Sequence, residues 1–264
     1  MSDRLAFLQS IPILADMPIE EIAQLESQVS ERKYKSGVEI FSEGGEAFAI
    51  GVILRGRAKV VKHSALGRDI TVAILKPGDI FGEVCLFLAD RIYTSSVIAI
   101  TPITALFIPH SQVVEALNES PLFAKRLIAA VSRRLCYTQE MLRFLVTEAV
   151  DKRIAHLLIY LAKTTGVQSN DRALITTPLT RHEIADLAGT TVETTIRVLS
   201  RLTKAGYICT IHGKLVPKGC RLCGIDSYCH RCNKIVIMHL SALKSFAEDS
   251  CDSNQQLCPQ PSIV

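Results

Sequence analysis

No uninterrupted apolar run in this chain reaches the length of a membrane span or a signal peptide, and the opening stretch MSDRLAFLQSIPILADMP mixes acidic residues with apolar ones. Neither an anchor nor an export signal is expected, so the reading is of a soluble protein of the cytoplasm. An excess of one charge is also missing: 30 Lys and Arg stand against 26 Asp and Glu, a net charge of +4. That imbalance is too small to identify a nucleic-acid partner, which has to be sought in local motifs. Missing too are an activated Ser/His/Asp set and a Gly-rich Walker phosphate loop, which argues against an enzyme.

Cysteine, by contrast, is plentiful. Nine thiols in a reducing compartment do not suggest a disulfide framework, and metal or redox chemistry is the better expectation. Four of them, in KGCRLCGIDSYCHRCNK, form C-x2-C-x5-C-x2-C: Cys220, Cys223, Cys229 and Cys232. Two such knuckles can clamp one metal centre, either a tetrahedral four-thiolate zinc or an iron-sulfur cluster, and ligand counting does not separate the two. Cys85 and Cys136 lie in apolar surroundings and read as plain core residues. Cys251 and Cys258, in the polar tail, have no partner spacing.

At 264 residues the chain has the length of two ordinary domains. A short helical pattern near Ile19 to Glu31 precedes residues 33 to 107, where short apolar runs such as AFAIGVIL, GRAKVVK and DITVAIL alternate with glycines. That rhythm predicts an antiparallel β-roll or barrel. From Ser120 the pattern turns helical, with Pro121 in the first turn and apolar or near-apolar positions at Leu127, Ile128, Val131, Leu135, Thr138, Leu142 and Leu145. Lys125, Arg126, Arg133, Arg134 and Arg143 occupy much of the other face. Such a seam suits a helix paired with its twin in a dimer; packing onto the β-domain of its own chain is the alternative.

The stretch LTRHEIADLAGTTVETTIRVLSRLTKAGYI follows a second helical pattern, AVDKRIAHLLIYLAKTTG. Thr180 and Glu183 have capping-box spacing, Gly189 breaks the first helix, and Thr190 with Glu193 predicts the cap of a second. Two short helices about a tight glycine turn describe a helix-turn-helix. GYICTIHGK and NKIVIMHL then read as the strands of a wing, with the four thiols between them. The tail from Asp249 is polar and is expected to be disordered.

This order resembles the CRP/FNR family of bacterial transcription regulators. The residues that carry the likeness are IFSEGGEAFAIGVILRGRAKVVK and LKPGDIFGE in the first half and LTRHEIADLAGTTVETTIRVLSRLTKAGYI in the second. The resemblance implies an α+β fold. A cyclic-nucleotide-binding-like β-roll would occupy residues 1–119 and a dimerisation helix residues 120–148, with Leu127, Val131, Leu135 and Leu142 in its seam. A Crp-type winged helix-turn-helix would cover 149–248, its four-cysteine segment 218–234, and a tail 249–264. The implied partners are a second copy of the chain, double-stranded DNA with an inverted-repeat operator, and RNA polymerase.

By the same likeness Val192, Glu193, Ile196 and Arg197 face base edges. Arginine suits guanine, a carboxylate accepts from cytosine and an apolar tip meets a thymine methyl. Glu193 and Arg197, one turn apart, can also hold one another. Thr180, Arg181 and Thr191 are candidate phosphate contacts. The family's nucleotide cassette maps onto Gly82 and Glu83, then Tyr93, Thr94 and Ser95, with Tyr93 where a phosphate-binding arginine is usual. Without that charge cAMP is not expected to bind, and Glu83 reads as a turn residue bonding the roll; another ligand or none stays open. The triplet Cys220, Cys223, Cys229 resembles the spacing of FNR-type oxygen sensors that hold a 4Fe-4S cluster. Cys232 is then the natural fourth ligand, with Cys209, His212 or His230 as substitutes. The cluster is preferred to zinc because a regulator without a nucleotide site still needs an input.

Overall fold

The structure, a computed structural model, describes residues 8–15, 17–26, 28–64, 69–211 and 234–248. Cys220, Cys223, Cys229 and Cys232, the substitutes His212 and His230, and the tail from 249 lie outside the described residues. The chain divides into two compact units, Met1–Leu135 and Cys136–Val264. Among the described residues no helix is long and apolar enough to cross a membrane.

The first unit opens with α1 (Ile19–Glu26) and continues through β1 (Ser30–Tyr34), β2 (Glu39–Phe41), β3 (Ala49–Arg55), β4 (Ala58–His63), β5 (Asp69–Leu75), β6 (Ile80–Phe81), β7 (Ser96–Ala99) and β8 (Ile103–Pro109). The strands form two antiparallel four-stranded sheets, ordered β1-β8-β3-β6 and β2-β7-β4-β5. The alternation of a strand explains why β3 and β8 are apolar almost without a break. Ala49 and Ile53 of β3, with Ala105 and Phe107 of β8, enter one core cluster with Phe41, Val60 and Val97. Ile50, Val52, Leu106 and Ile108 point the other way, into a second cluster with Leu14, Ile22 and Val113. Gly51 is required at the crossing of β3 and β6, since a Cβ there would lie 2.0 Å from Cζ of Phe81.

After α2 (His110–Glu119) comes α3 (Pro121–Thr147), whose single helical run contains the boundary between the two units. Phe123 and Leu127 are buried in the second cluster of the first unit. Leu127 therefore departs from the expected seam: it faces its own chain, which supplies the burial of roughly 1.5–3 kcal/mol that such a side chain needs. Ile128, Val131, Leu135 and Leu142 remain 65, 42, 56 and 60 % exposed. Cys85 is buried as expected, but Cys136 is exposed, because it lies on the helix away from the face that turns inward.

The second unit continues with α4 (Val150–Thr165), β9 (Gly166–Ser169), β10 (Arg172–Ile175), α5 (Arg181–Leu187), α6 (Val192–Lys204), β11 (Ile208–Ile211), β12 (Lys234–Ile237) and α7 (Leu240–Glu248). Its sheet runs β11-β12-β10-β9, and β11 pairs antiparallel with β12 as a wing should. α7 was not foreseen: it buries Leu240, Leu243 and Ala247 and packs on α4. Replacing Gly51 by alanine should destabilise the protein by about 1–3 kcal/mol through the clash with Phe81, read as a lowered urea midpoint; an unchanged midpoint would contradict the packing of β3 on β6.

Candidate nucleic-acid interface and sensor pocket

α5 begins where the Thr180–Glu183 spacing predicts. The Thr180 hydroxyl accepts the Glu183 N–H at 3.2 Å, and the Glu183 carboxylate accepts the Thr180 N–H at 2.8 Å, a complete capping box. That carboxylate also accepts the Thr180 hydroxyl at 3.0 Å, so the hydroxyl offered above as a phosphate contact is engaged by the cap. Arg181, half-buried at the first position of α5, has its pKa lowered by burial.

Gly189 takes the left-handed conformation, φ +60°, and the Thr190 N–H returns to the Ala185 carbonyl at 2.9 Å. Thr190 is thereby spent on the turn, and the cap of α6 falls one residue later than its spacing with Glu193 predicts. Thr191 is the cap, its hydroxyl accepting the Thr194 N–H at 3.2 Å. α6 then buries Thr195, Val198, Leu199 and Leu202, one helical face, and turns Glu193, Ile196 and Arg197 outward. Val192 is half-buried at its start.

Glu193 and Arg197 are each engaged by a threonine. Arg197 Nη2 donates to Thr194 Oγ1 at 3.1 Å, and the Thr194 and Thr191 hydroxyl oxygens are 3.1 Å apart. The Glu193 carboxyl is held below its ordinary range by its own backbone N–H, then by the Thr191 hydroxyl, with the Arg197 charge also contributing. Arg201, one turn beyond Arg197, pairs with Asp151 at 3.1 Å.

Three residues of this site went unnoticed in the sequence. Thr194 stands three residues before Arg197 and after Thr191, a helical spacing that signals it; Asp151 has no such signal. Arg153 of α4 is the third, and its guanidinium donates to the Gly189 carbonyl at 3.0 Å and to those of Leu145 and Glu148 at 3.2 and 3.4 Å.

In the first unit the five cassette residues do come together. Gly82, at φ +80°, precedes a short 3-10 turn of Glu83–Cys85. Together with Phe41 and Arg134, the residues Glu83, Tyr93, Thr94 and Ser95 line a cavity of about 20 Å³, room for one water. Tyr93 fills the rest. Its ring stacks on Phe41 at 4.0 Å, and its hydroxyl donates to the Ala49 carbonyl at 2.8 Å. Burial pushes its pKa up to about 12. Glu83 does more than the turn role expected of it: its carboxylate, nearly inaccessible, pairs with Arg134 Nη1 of α3 at 2.8 Å while Oε2 has no hydrogen-bond partner among the described residues. Burial raises the Glu83 pKa, and the opposing pull of Arg134 is the smaller effect.

Two domain families match: a cyclic nucleotide-binding domain over residues 31–120 and a Crp-like helix-turn-helix domain over 152–217. The chain is 30 % identical over 195 residues to a CRP-like cAMP-activated global transcriptional regulator of Mycobacterium tuberculosis, covering 74 % of this chain and 86 % of the relative. It is 31 % identical over 180 residues to the global nitrogen regulator of a Nostoc species, covering 67 % and 79 %. This chain belongs to the CRP/FNR family of transcription regulators. The fold agrees with that of FixK2 from Bradyrhizobium japonicum, TM-score 0.65 and 21 % identity over 82 % of this chain and 96 % of that one. As a CRP-family regulator it binds DNA, and α6 is the second helix of its helix-turn-helix and has an exposed polar face.

For this CRP/FNR protein the sensor pocket differs from the cassette pattern at one decisive place. The position of the usual arginine holds a phenol that is buried and bonded to the strand β3, and Arg134, which lines the pocket, is paired with Glu83. Glu83 is the source of a measurable pH effect. Its folded pKa lies above the unfolded one, so its contribution to stability is full below the ordinary glutamate range and is lost as pH rises through the raised value. Urea unfolding between pH 4 and 8 should show wild type losing stability with rising pH relative to Glu83→Gln; parallel curves would overturn the assignment.

Proposed function

We propose that this regulator works as a homodimer on an inverted-repeat operator and receives its signal through Cys220, Cys223, Cys229 and Cys232, with no cyclic nucleotide in the β-roll. The observation that carries the reading is Tyr93, which fills the pocket where an effector would sit and so moves the search for an input elsewhere. For the dimer, Ile128, Val131, Leu135 and Leu142 leave an exposed apolar stripe on α3, as the seam of a paired helix requires. Val131, Leu135 and Leu142 stay in that seam, and Leu127 leaves it. For DNA, Arg197 and Glu193 are the base readers, Ile196 and Val192 line the same face, and Thr191 and Arg181 are the phosphate contacts. RNA polymerase is the further partner of such a regulator.

The donor set fits a metal centre: four thiols in two C-x2-C pairs lie between strands whose ends, Ile211 and Lys234, are register partners. A 4Fe-4S cluster held by the four cysteines would supply redox and oxygen sensitivity. Cys209, proposed as a substitute ligand, is half-buried on β11 and packs near Val236 and Met238. A structural zinc is the second reading, favoured by the two thiolate pairs.

Purified without air, the protein should be brown, carry about four irons per chain and bleach on exposure to oxygen. A colourless protein with about one zinc per chain would establish the second reading instead. Metal content unchanged in Cys220→Ser would overturn the ligand set altogether. Titration with cAMP should leave operator affinity unchanged, and a tight, saturable rise would overturn the reading of Tyr93.

A further inference from the structure

We infer that Thr194 is a positioning residue for sequence reading, the acceptor that ties the Arg197 guanidinium to the cap of α6. The inference rests on Arg197 being a base reader. Arg197 Nη2 donates to the Thr194 hydroxyl oxygen at 3.1 Å, and the Thr191 hydroxyl donates to the same oxygen at 3.1 Å. A hydroxyl oxygen has two lone pairs and accepts both bonds at once. Thr194 is thereby held by the cap residue on one side and holds one nitrogen of the guanidinium on the other.

Two features make this arrangement directional in its consequence. Arg197 and Glu193 are both exposed on α6, where an arginine otherwise samples many rotamers and loses that freedom on binding. A guanidinium already held at one nitrogen presents its remaining fork in fewer orientations, which favours a bidentate partner over a single phosphate oxygen. Moreover, the cap of α6 does not need the Thr194 side chain. Its backbone N–H bonds Thr191 Oγ1 at 3.2 Å, so a valine at 194, equal in shape and lacking only the hydroxyl, leaves the helix start in place.

The test selects an operator from a random inverted-repeat duplex library with wild-type protein, then measures binding to every single-base variant of it. Thr194→Val should reduce discrimination at the Arg197 base pair about 3- to 10-fold, the worth of one hydrogen bond. The slope of log K against log salt should not move, because the substitution removes no cation from the interface. Thr194→Ser should restore the preference, and thermal unfolding of both variants should match wild type. Loss of preference in Arg197→Ala but not in Thr194→Val would overturn this inference and leave the base readers standing. A preference that survives Arg197→Ala would overturn the base-reader assignment and this inference with it.

Discussion

Carbonyls at the end of a helix have no partner within that helix, and a donor must be brought to them when water is kept away. In the DNA-binding unit one guanidinium supplies several of these at once. Arg153 reaches the carbonyls of Leu145 and Glu148, where α3 closes, and that of Gly189, where α5 turns into α6. The same turn is shaped from the other side by Leu145, whose Cδ2 would lie 2.3 Å from any Cβ at residue 189. Direction of α6 therefore depends on a glycine that only the left-handed region satisfies and on an arginine that ties it down. Because recognition by a helix is a matter of where three or four side chains stand relative to base edges, this turn sets the site more than any exposed residue does.

The sensor unit applies the opposite economy. A phenol and an ion pair line the cavity around Glu83, and the aromatic cluster of Phe41, Phe81, Tyr93 and Phe107 packs at centroid separations of 4.0 to 6.0 Å. Tyr93 meets its hydrogen-bonding need at the Ala49 carbonyl, so its burial carries no unsatisfied hydroxyl. Glu83 is the exception. Burial costs its charge more than Arg134 returns, which ties the protonation of Glu83 to the position of α3.

The sequence made the β-roll, the long helix and the helix-turn-helix visible because each rests on local periodicity and turn chemistry. Thr180 with Glu183 was legible for that reason, and Tyr93 was legible as a missing charge. What failed were choices between equivalent local signals. Thr190 and Thr191 both precede an acceptable helix start, and only the turn at Gly189 decides between them. Periodicity put Leu127 on an apolar face without saying whether that face meets its own chain or another. The Glu83–Arg134 and Arg153–Gly189 contacts join residues 51 and 36 positions apart, beyond any local pattern.

The place of the four thiols matters for the proposed signal. β12 pairs with β11 on one side and β10 on the other, and α7 follows it, with the Ser241 N–H bonded to Asp171 at 2.7 Å and the Leu240 N–H to the Asp171 carbonyl at 2.7 Å. One end of the thiol segment is thus anchored in the middle of a sheet. The other end is β11, which leaves α6 through Tyr207, itself bonded back to the Leu202 carbonyl at 3.0 Å. A metal that tightened or released the segment would act on Ile211 against Lys234, a pair with one fixed member. The displacement would fall on β11, four residues long and next in the chain to α6, the proposed reading helix. Under the proposed function, the input therefore needs no path through the β-roll to alter how α6 meets an operator.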